Sequence, residues 1–150
     1  MLQTSLLAAV VLGLIVSPLS YAQQDFEIAI HGGAGTILKK NMTPAKQKKY
    51  EATLLEAVNT GYQLLEQGKT SQEAVIAAIQ ILEESPLFNA GKGAVYTFEG
   101  HHELDASIMD GKTLNAGAVS GVKTVKSPIA LAQKVMDESV HVMLSGDGAE

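Results

Sequence analysis

The spacing of apolar side chains changes midway along this sequence, and that change constrains the fold more than any other feature. Tyr50, Leu54, Val58, Tyr62 and Leu65 recur at helical spacing, and Val75, Ala78, Ile79 and Leu82 do so again. Further on, Leu104, Ala106 and Ile108 alternate with Asp105, Ser107 and Met109. A period near 3.6 puts side chains on one face of a helix, whereas a period of two puts them on one face of a strand. Two helices in succession followed by adjacent strands specify an α+β fold rather than a regular βαβ repeat.

Local signals set the expected boundaries. Thr43-Pro44 starts the first helix, with Pro at the first helical position, and Gly68 ends it. Thr70-Ser71-Gln72-Glu73 is a capping-box pattern that opens the second helix, and Pro86 stops it. The short connection predicts an antiparallel helix pair. Strands are expected over 26–30, 94–98, 103–109 and 114–122, with Glu99-Gly100 as a turn and Asp110-Gly111 as a hairpin turn. Ser127-Pro128 caps a helix running to Glu138, and Val140, Val142 and Leu144 alternate as a last strand. Gly146 to Glu150 reads as a turn entering a new helix. There is no internal repeat, low-complexity tract or linker, so a single domain, or part of one, is expected.

The first residues differ from the rest. Met1 to Gln24 holds no charged side chain, Leu6 to Val16 is almost wholly apolar, and Ser20-Tyr21-Ala22 follows. This pattern predicts a signal peptide over 1–22, cleaved after Ala22, and a protein secreted or periplasmic in location, with residues 23–150 as its domain. The run is shorter than the roughly 20 apolar residues of a spanning helix. An uncleaved N-terminal anchor is the alternative, since the start lacks Lys or Arg. The net charge of −5 argues against a nucleic-acid partner and, once the signal is cleaved, against an anionic membrane. Lys39, Lys40, Lys46, Lys48 and Lys49 form one basic cluster, read as a solvated helix face. With no cysteine, the fold depends on its core alone, and thiol chemistry is excluded.

Two glycine-rich segments are candidates for chemistry. His31-Gly32-Gly33-Ala34-Gly35 follows a predicted strand, where backbone N–H groups can approach a ligand closely. It does not match G-x-G-x-x-G opening a helix, and Gly91-Lys92-Gly93 does not match a P-loop. A tight structural turn with a core histidine is the competing reading. Asn89-Ala90-Gly91-Lys92-Gly93-Ala94 follows a helix end made irregular by Pro86, where free carbonyls can ligate a hard cation. An ordinary helix-to-strand connection is the alternative there. Asn89 can hold an amide or orient a nucleophile. Glu103, Asp105 and Ser107 share a strand face, read as solvated or hydrogen-bonded, while His101 and His102 lack a partner at metal-binding spacing. These residues alone do not name a reaction.

Taken together and in order, Ile28 to Gly35, Leu82 to Ala94, His102 to Gly111, Ala116 to Val122, and Ser127-Pro128 with His141-Val142-Met143 and Gly146 to Glu150 resemble the plant-type asparaginases, also called isoaspartyl peptidases. The resemblance covers nearly all of the chain after the apolar start. It implies a four-layer αββα sandwich of the N-terminal-nucleophile hydrolase type, of which this chain forms a part. It also implies autocatalytic cleavage into α and β subunits, a Thr nucleophile at the new N-terminus with its own α-amine as base, and an (αβ)2 assembly. The implied substrates are L-asparagine and β-aspartyl dipeptides.

Carried over residue by residue, His31, Gly32 and Gly33 match a loop near the nucleophile that is linked to self-cleavage. Asn89 matches an Asn close to the nucleophile. The backbone carbonyls of Leu82, Glu83, Ser85, Phe88, Ala90 and Lys92 match those holding a structural sodium ion, and no catalytic cofactor is implied. Thr36, Thr43, Thr53, Thr60, Thr70, Thr97, Thr113 and Thr124 all lack the nucleophile's context. The expectation is therefore that the nucleophile, the substrate-carboxylate Arg and the oxyanion-hole donors fall beyond Glu150. The chain would then be most of an α subunit, inactive alone and poorly soluble, or paired with a separately encoded β portion. A secreted non-enzymatic binding module and an inactive truncated gene product are the alternatives.

Overall fold

The structure, a computed structural model, describes residues 25–33 and 39–150. The expected signal peptide lies outside the described residues. A short 3-10 turn at Lys39–Asn41 precedes helices α1 (Pro44–Glu66) and α2 (Ser71–Glu83). Strands β1 (Leu104–Met109) and β2 (Ala116–Val122), helix α3 (Pro128–Glu138) and strand β3 (Met143–Ser145) follow, and a 3-10 turn at Gly146–Gly148 comes last. The class is α+β, as the change of apolar period requires. No described helix is long and apolar enough to cross a membrane.

Both predicted N-caps of the helix pair form. Lys46 N–H donates to Thr43 Oγ1 at 3.2 Å. Glu73 N–H donates to Thr70 Oγ1 at 3.2 Å, while Thr70 N–H donates to the Glu73 carboxylate at 2.8 Å, closing the capping box. The Thr70 N–H and the Thr70 hydroxyl, which donates to the same carboxylate at 2.9 Å, and then Lys69 beside it hold the Glu73 carboxyl below its ordinary value. A carboxyl lowered in the folded state stabilises above its unfolded pKa and loses that contribution as pH falls through the folded value. Thr70→Ala removes the N-cap oxygen and is expected to cost about 1 kcal/mol at neutral pH. The difference from wild type should shrink in acid, as followed by urea melts at pH 7 and pH 3.

The helix pair is antiparallel: Gly61 packs on Ala74 and Ala78, whereas Thr53 and Glu56 border the same groove as Glu84 and Ser85. Apolar periodicity placed Tyr50, Leu54, Val58, Tyr62 and Leu65 inward, but the fully buried positions of α1 are the small Ala57 and Gly61. Small residues at the crossing bring the helix backbones close. The basic cluster lies as expected, with Lys46, Lys48 and Lys49 exposed on α1.

The sheet has order β1-β2-β3, with β1 antiparallel to β2 and β2 parallel to β3 through the α3 crossover. Register runs Leu104↔Val122, Ala106↔Val119 and Met109↔Ala116, with an irregularity between the first two pairs. There, Gly121 takes φ +64° and its N–H donates to Asp105 Oδ1 at 2.9 Å. One sheet face gives Ile108, Val119 and Val122 to a core completed by Ile129, Ala132 and Val135 of α3. Ile76 and Ile79 of α2 pack against it. The other face is open, with Asp105, Ser107, Met109 and Met143 exposed.

Four expectations need correction, the first being the last strand, which begins only at Met143 and leaves Val140 and Val142 exposed before it. Residues 26–30 are extended and their burial alternates, but they join no ladder among the described residues; they lie across the helix pair instead, with Phe26 on Tyr62 at 5.1 Å between ring centroids. Residues 94–98 are not a strand either. Thr97 N–H donates to His101 O, and Gly100 N–H donates back to Thr97 O, so this segment closes locally. At Asp110-Gly111 the two-residue hairpin turn gives way to a longer loop. Asp110 accepts from Lys112 N–H and Thr113 Oγ1, and the left-handed residue is Leu114, at φ +64°. Leu114 therefore precedes β2 rather than beginning it.

Candidate functional site

The two glycine-rich segments meet. The extended stretch ending in His31 lies against α2, where Ile28 to His31 share a small cavity with Val75, Ala78, Ile79 and Leu82. Just beyond it, Gly32 packs on Leu54 of α1 and on the Phe88 ring. Phe88 belongs to the second segment, is buried, and stands edge-on to Tyr50 at 5.4 Å. One aromatic side chain thus fixes the first loop against the second. A cleft of about 580 Å³ opens beside it, lined by Gly32, Gly33, Gln47, Tyr50, Leu54 and Phe88, among others.

His31 is exposed rather than a core residue. Gly33 N–H donates to its Nδ1 at 3.1 Å, and Gly33 holds φ +101°, a conformation that favours glycine. With Nδ1 accepting, the neutral ring carries its proton on Nε2 and can donate from that side. Asn89 turns inward on its own loop: Val95 N–H donates to its Oδ1 at 2.9 Å, leaving the amide nitrogen as a donor.

The loop after α2 doubles back on itself. A Cβ at Gly91 would stand 2.3 Å from Glu83 O, and one at Gly93 would stand 2.1 Å from Phe88 O and 3.0 Å from Pro86 O. Only glycine fits at either place, and what it leaves room for is carbonyl oxygen. Leu82 O and Ala90 O each accept one backbone N–H, from Ser85 and Gly93, and each keeps a second lone pair. Such a donor set suits a hard cation. No cluster of three or more His, Cys, Asp or Glu side chains among the described residues offers an alternative metal site.

Sequence reasoning missed what the side chains of this loop do. Glu83 is buried, and its carboxylate accepts from Ser127 Oγ at 2.7 Å and from Ile129 N–H at 2.9 Å. It caps α3, where a helix N-terminus favours negative charge. Glu84 pairs with Lys92 of the loop and, at 3.0 Å, with Lys126 before α3. Those two ammonium groups, Lys92 first, hold the Glu84 carboxyl below its ordinary value. Helix periodicity carries no sign of partners so distant in sequence. The hairpin carboxylates form no acidic site: Asp105 binds the Gly121 amide and Glu103 pairs with Lys123 at 3.5 Å. His102 stacks on Tyr96 at 4.3 Å between ring centroids.

The family model described as Asparaginase matches residues 24–150. The chain belongs to the asparaginase family. It is 50% identical over 123 residues to the isoaspartyl peptidase of Salmonella typhimurium, which covers 82% of this chain and 39% of that protein. It is equally similar to the isoaspartyl peptidase of Escherichia coli, 50% over 123 residues, covering 82% of this chain and 38% of that one. Against the plant-type L-asparaginase of Pyrococcus furiosus it is 50% identical over 122 residues, 81% of this chain and 38% of the relative. The chain spans about two fifths of the length of these relatives. Both glycine-rich loops fall within the residues that the asparaginase family model matches, and the family is an amidohydrolase one.

Proposed function

We propose that the complete protein hydrolyses L-asparagine and β-aspartyl dipeptides. The observation behind this reading is the 50% identity, over four fifths of the chain, to relatives named both isoaspartyl peptidase and L-asparaginase. The reaction is acyl transfer. A Thr hydroxyl attacks the side-chain carbonyl of the β-aspartyl group while its own α-amine takes the proton. The tetrahedral oxyanion, held by hydrogen-bond donors, collapses and expels ammonia or an amino acid. Water then attacks the acyl-enzyme and releases aspartate.

In this proposal the nucleophilic Thr lies beyond Glu150 and is freed by autocatalytic cleavage, and the α and β portions pair as (αβ)2. Several threonines of this chain already have structural tasks: Thr43 and Thr70 cap helices, Thr97 Oγ1 accepts from His101 N–H, and Thr113 donates to Asp110. His31, Gly32, Gly33 and Asn89 border the seat of the nucleophile. The carbonyls of Leu82, Glu83, Ser85, Phe88, Ala90 and Lys92 hold a sodium ion, a role supported by the glycine-only closure at Gly91 and Gly93. The ion's contribution is to fix the loop carrying Asn89 and Phe88. The first 22 residues direct export and are removed, leaving the protein secreted or periplasmic.

The test is hydrolysis of L-asparagine and a β-aspartyl dipeptide by the purified chain, alone and with a supplied segment that begins with the Thr. Turnover is expected only in the second case; turnover by this chain alone would show that the nucleophile is already present. Mass spectrometry of the exported protein should find Gln23 first, and an intact Met1 would refute cleavage after Ala22.

A further inference from the structure

We infer that Glu83 and Glu84 couple cation binding on the 82–92 loop to the seating of α3, with Glu83 as the positioning residue. This rests on the sodium reading above. Glu83 is shared between two structures. Its backbone carbonyl faces Gly91 so closely that no side chain fits between them. Its carboxylate is buried and accepts from Ile129 N–H and Ser127 Oγ at the start of α3. Ser127 is in turn gripped by α2, since Gln80 Nε2 donates to its oxygen at 3.2 Å. The next residue repeats the connection, because the Glu84 carboxylate joins Lys92 of the loop to Lys126 of the α3 approach. Two consecutive glutamates therefore bind the loop to the same helix start.

The consequence follows from geometry. The direction of the Glu83 carbonyl and the reach of its carboxylate are set by one backbone position. A cation that fixes the carbonyl fixes the α3 cap, and a seated α3 holds the carbonyl where a cation needs it. Coupling of this kind is reciprocal, with typical magnitudes between about 5-fold and 150-fold in affinity.

The experiment follows thermal unfolding and amide exchange of the complete, assembled protein in sodium chloride and in choline chloride at equal ionic strength. Sodium is expected to raise Tm and to slow exchange of the Ile129 amide, which belongs to α3 and not to the loop. Glu83→Gln, which keeps shape and removes charge, is expected to weaken the apparent sodium affinity by about tenfold. Ser127→Ala, which leaves the loop untouched, should weaken it in the same direction by less. If sodium raises Tm and slows only the loop amides of Ala90, Gly93 and Ala94, while Ile129 is unchanged, the coupling is refuted and the cation site stands. Equal sodium affinity in wild type and Ser127→Ala refutes it as well, even if Glu83→Gln does not fold. If sodium has no effect on wild type beyond that of choline, the cation reading fails and the coupling falls with it.

Discussion

Replacing Gly117 with Val is expected to lift α3 off the sheet and to lower stability by about 3 kcal/mol, the upper end for overpacking a core. Gly117 lies on β2 directly beneath α3. A Cβ there would stand 2.2 Å from Ala132 O and 2.5 Å from Met136 N. Both are backbone atoms of the helix, so no rotamer change relieves the clash and the whole element must move. Moving it uncovers Ile129, Ala132 and Val135, which are almost fully buried against Ile108, Val119 and Val122. A urea melt should show the loss as a lower midpoint, with bound dye reporting newly exposed apolar surface. Gly111→Ala provides the contrast. Gly111 has open space around its Cβ position and an ordinary φ, so that variant should unfold like wild type.

Glu83→Ala is the second large expected effect. It removes the acceptor of Ile129 N–H and of Ser127 Oγ in a buried place where water does not replace it. Two orphaned donors at roughly 1–3 kcal/mol each bring the cost to about 3 kcal/mol. For a domain of this size that is a fall in Tm of about 10 °C. Calorimetry on the variant checks this, and a drop under about 2 °C would mean that the α3 cap is satisfied another way. Glu84→Ala should cost far less, because its ion pairs with Lys92 and Lys126 are solvent-exposed and such pairs contribute little.

The features legible in the sequence are those whose cause is local. The caps at Thr43, Thr70 and Ser127 each form within three residues of their partners, so a short window of sequence contains the whole interaction. The alternation from Leu104 to Met109 became an inward and an outward face as read. The illegible features depend on distant partners. Residues 26–30 and 94–98 have strand composition, yet a strand exists only where a ladder partner is supplied. The turn at Asp110-Gly111 was misread because the Asp110 side chain binds two downstream residues and moves the left-handed position to Leu114. At the candidate site, both glycine loops were marked by composition, but not the Phe88 contact that joins them. Glu83 enters the sequence reading only through its backbone carbonyl, whereas its carboxylate caps α3.

That cap also has a direction in time. Glu83 completes α2, whereas Ser127 and Ile129 follow 44 and 46 residues later. At about 5–20 residues per second of synthesis, roughly 2–9 s separate the carboxylate from its partners. Over that interval the sequence made so far already holds both caps of the helix pair and its small-residue crossing, but not the partners of Glu83. The contacts of the helical hairpin are all complete by the end of α2, whereas the α3 cap needs a segment made 44 to 46 residues later.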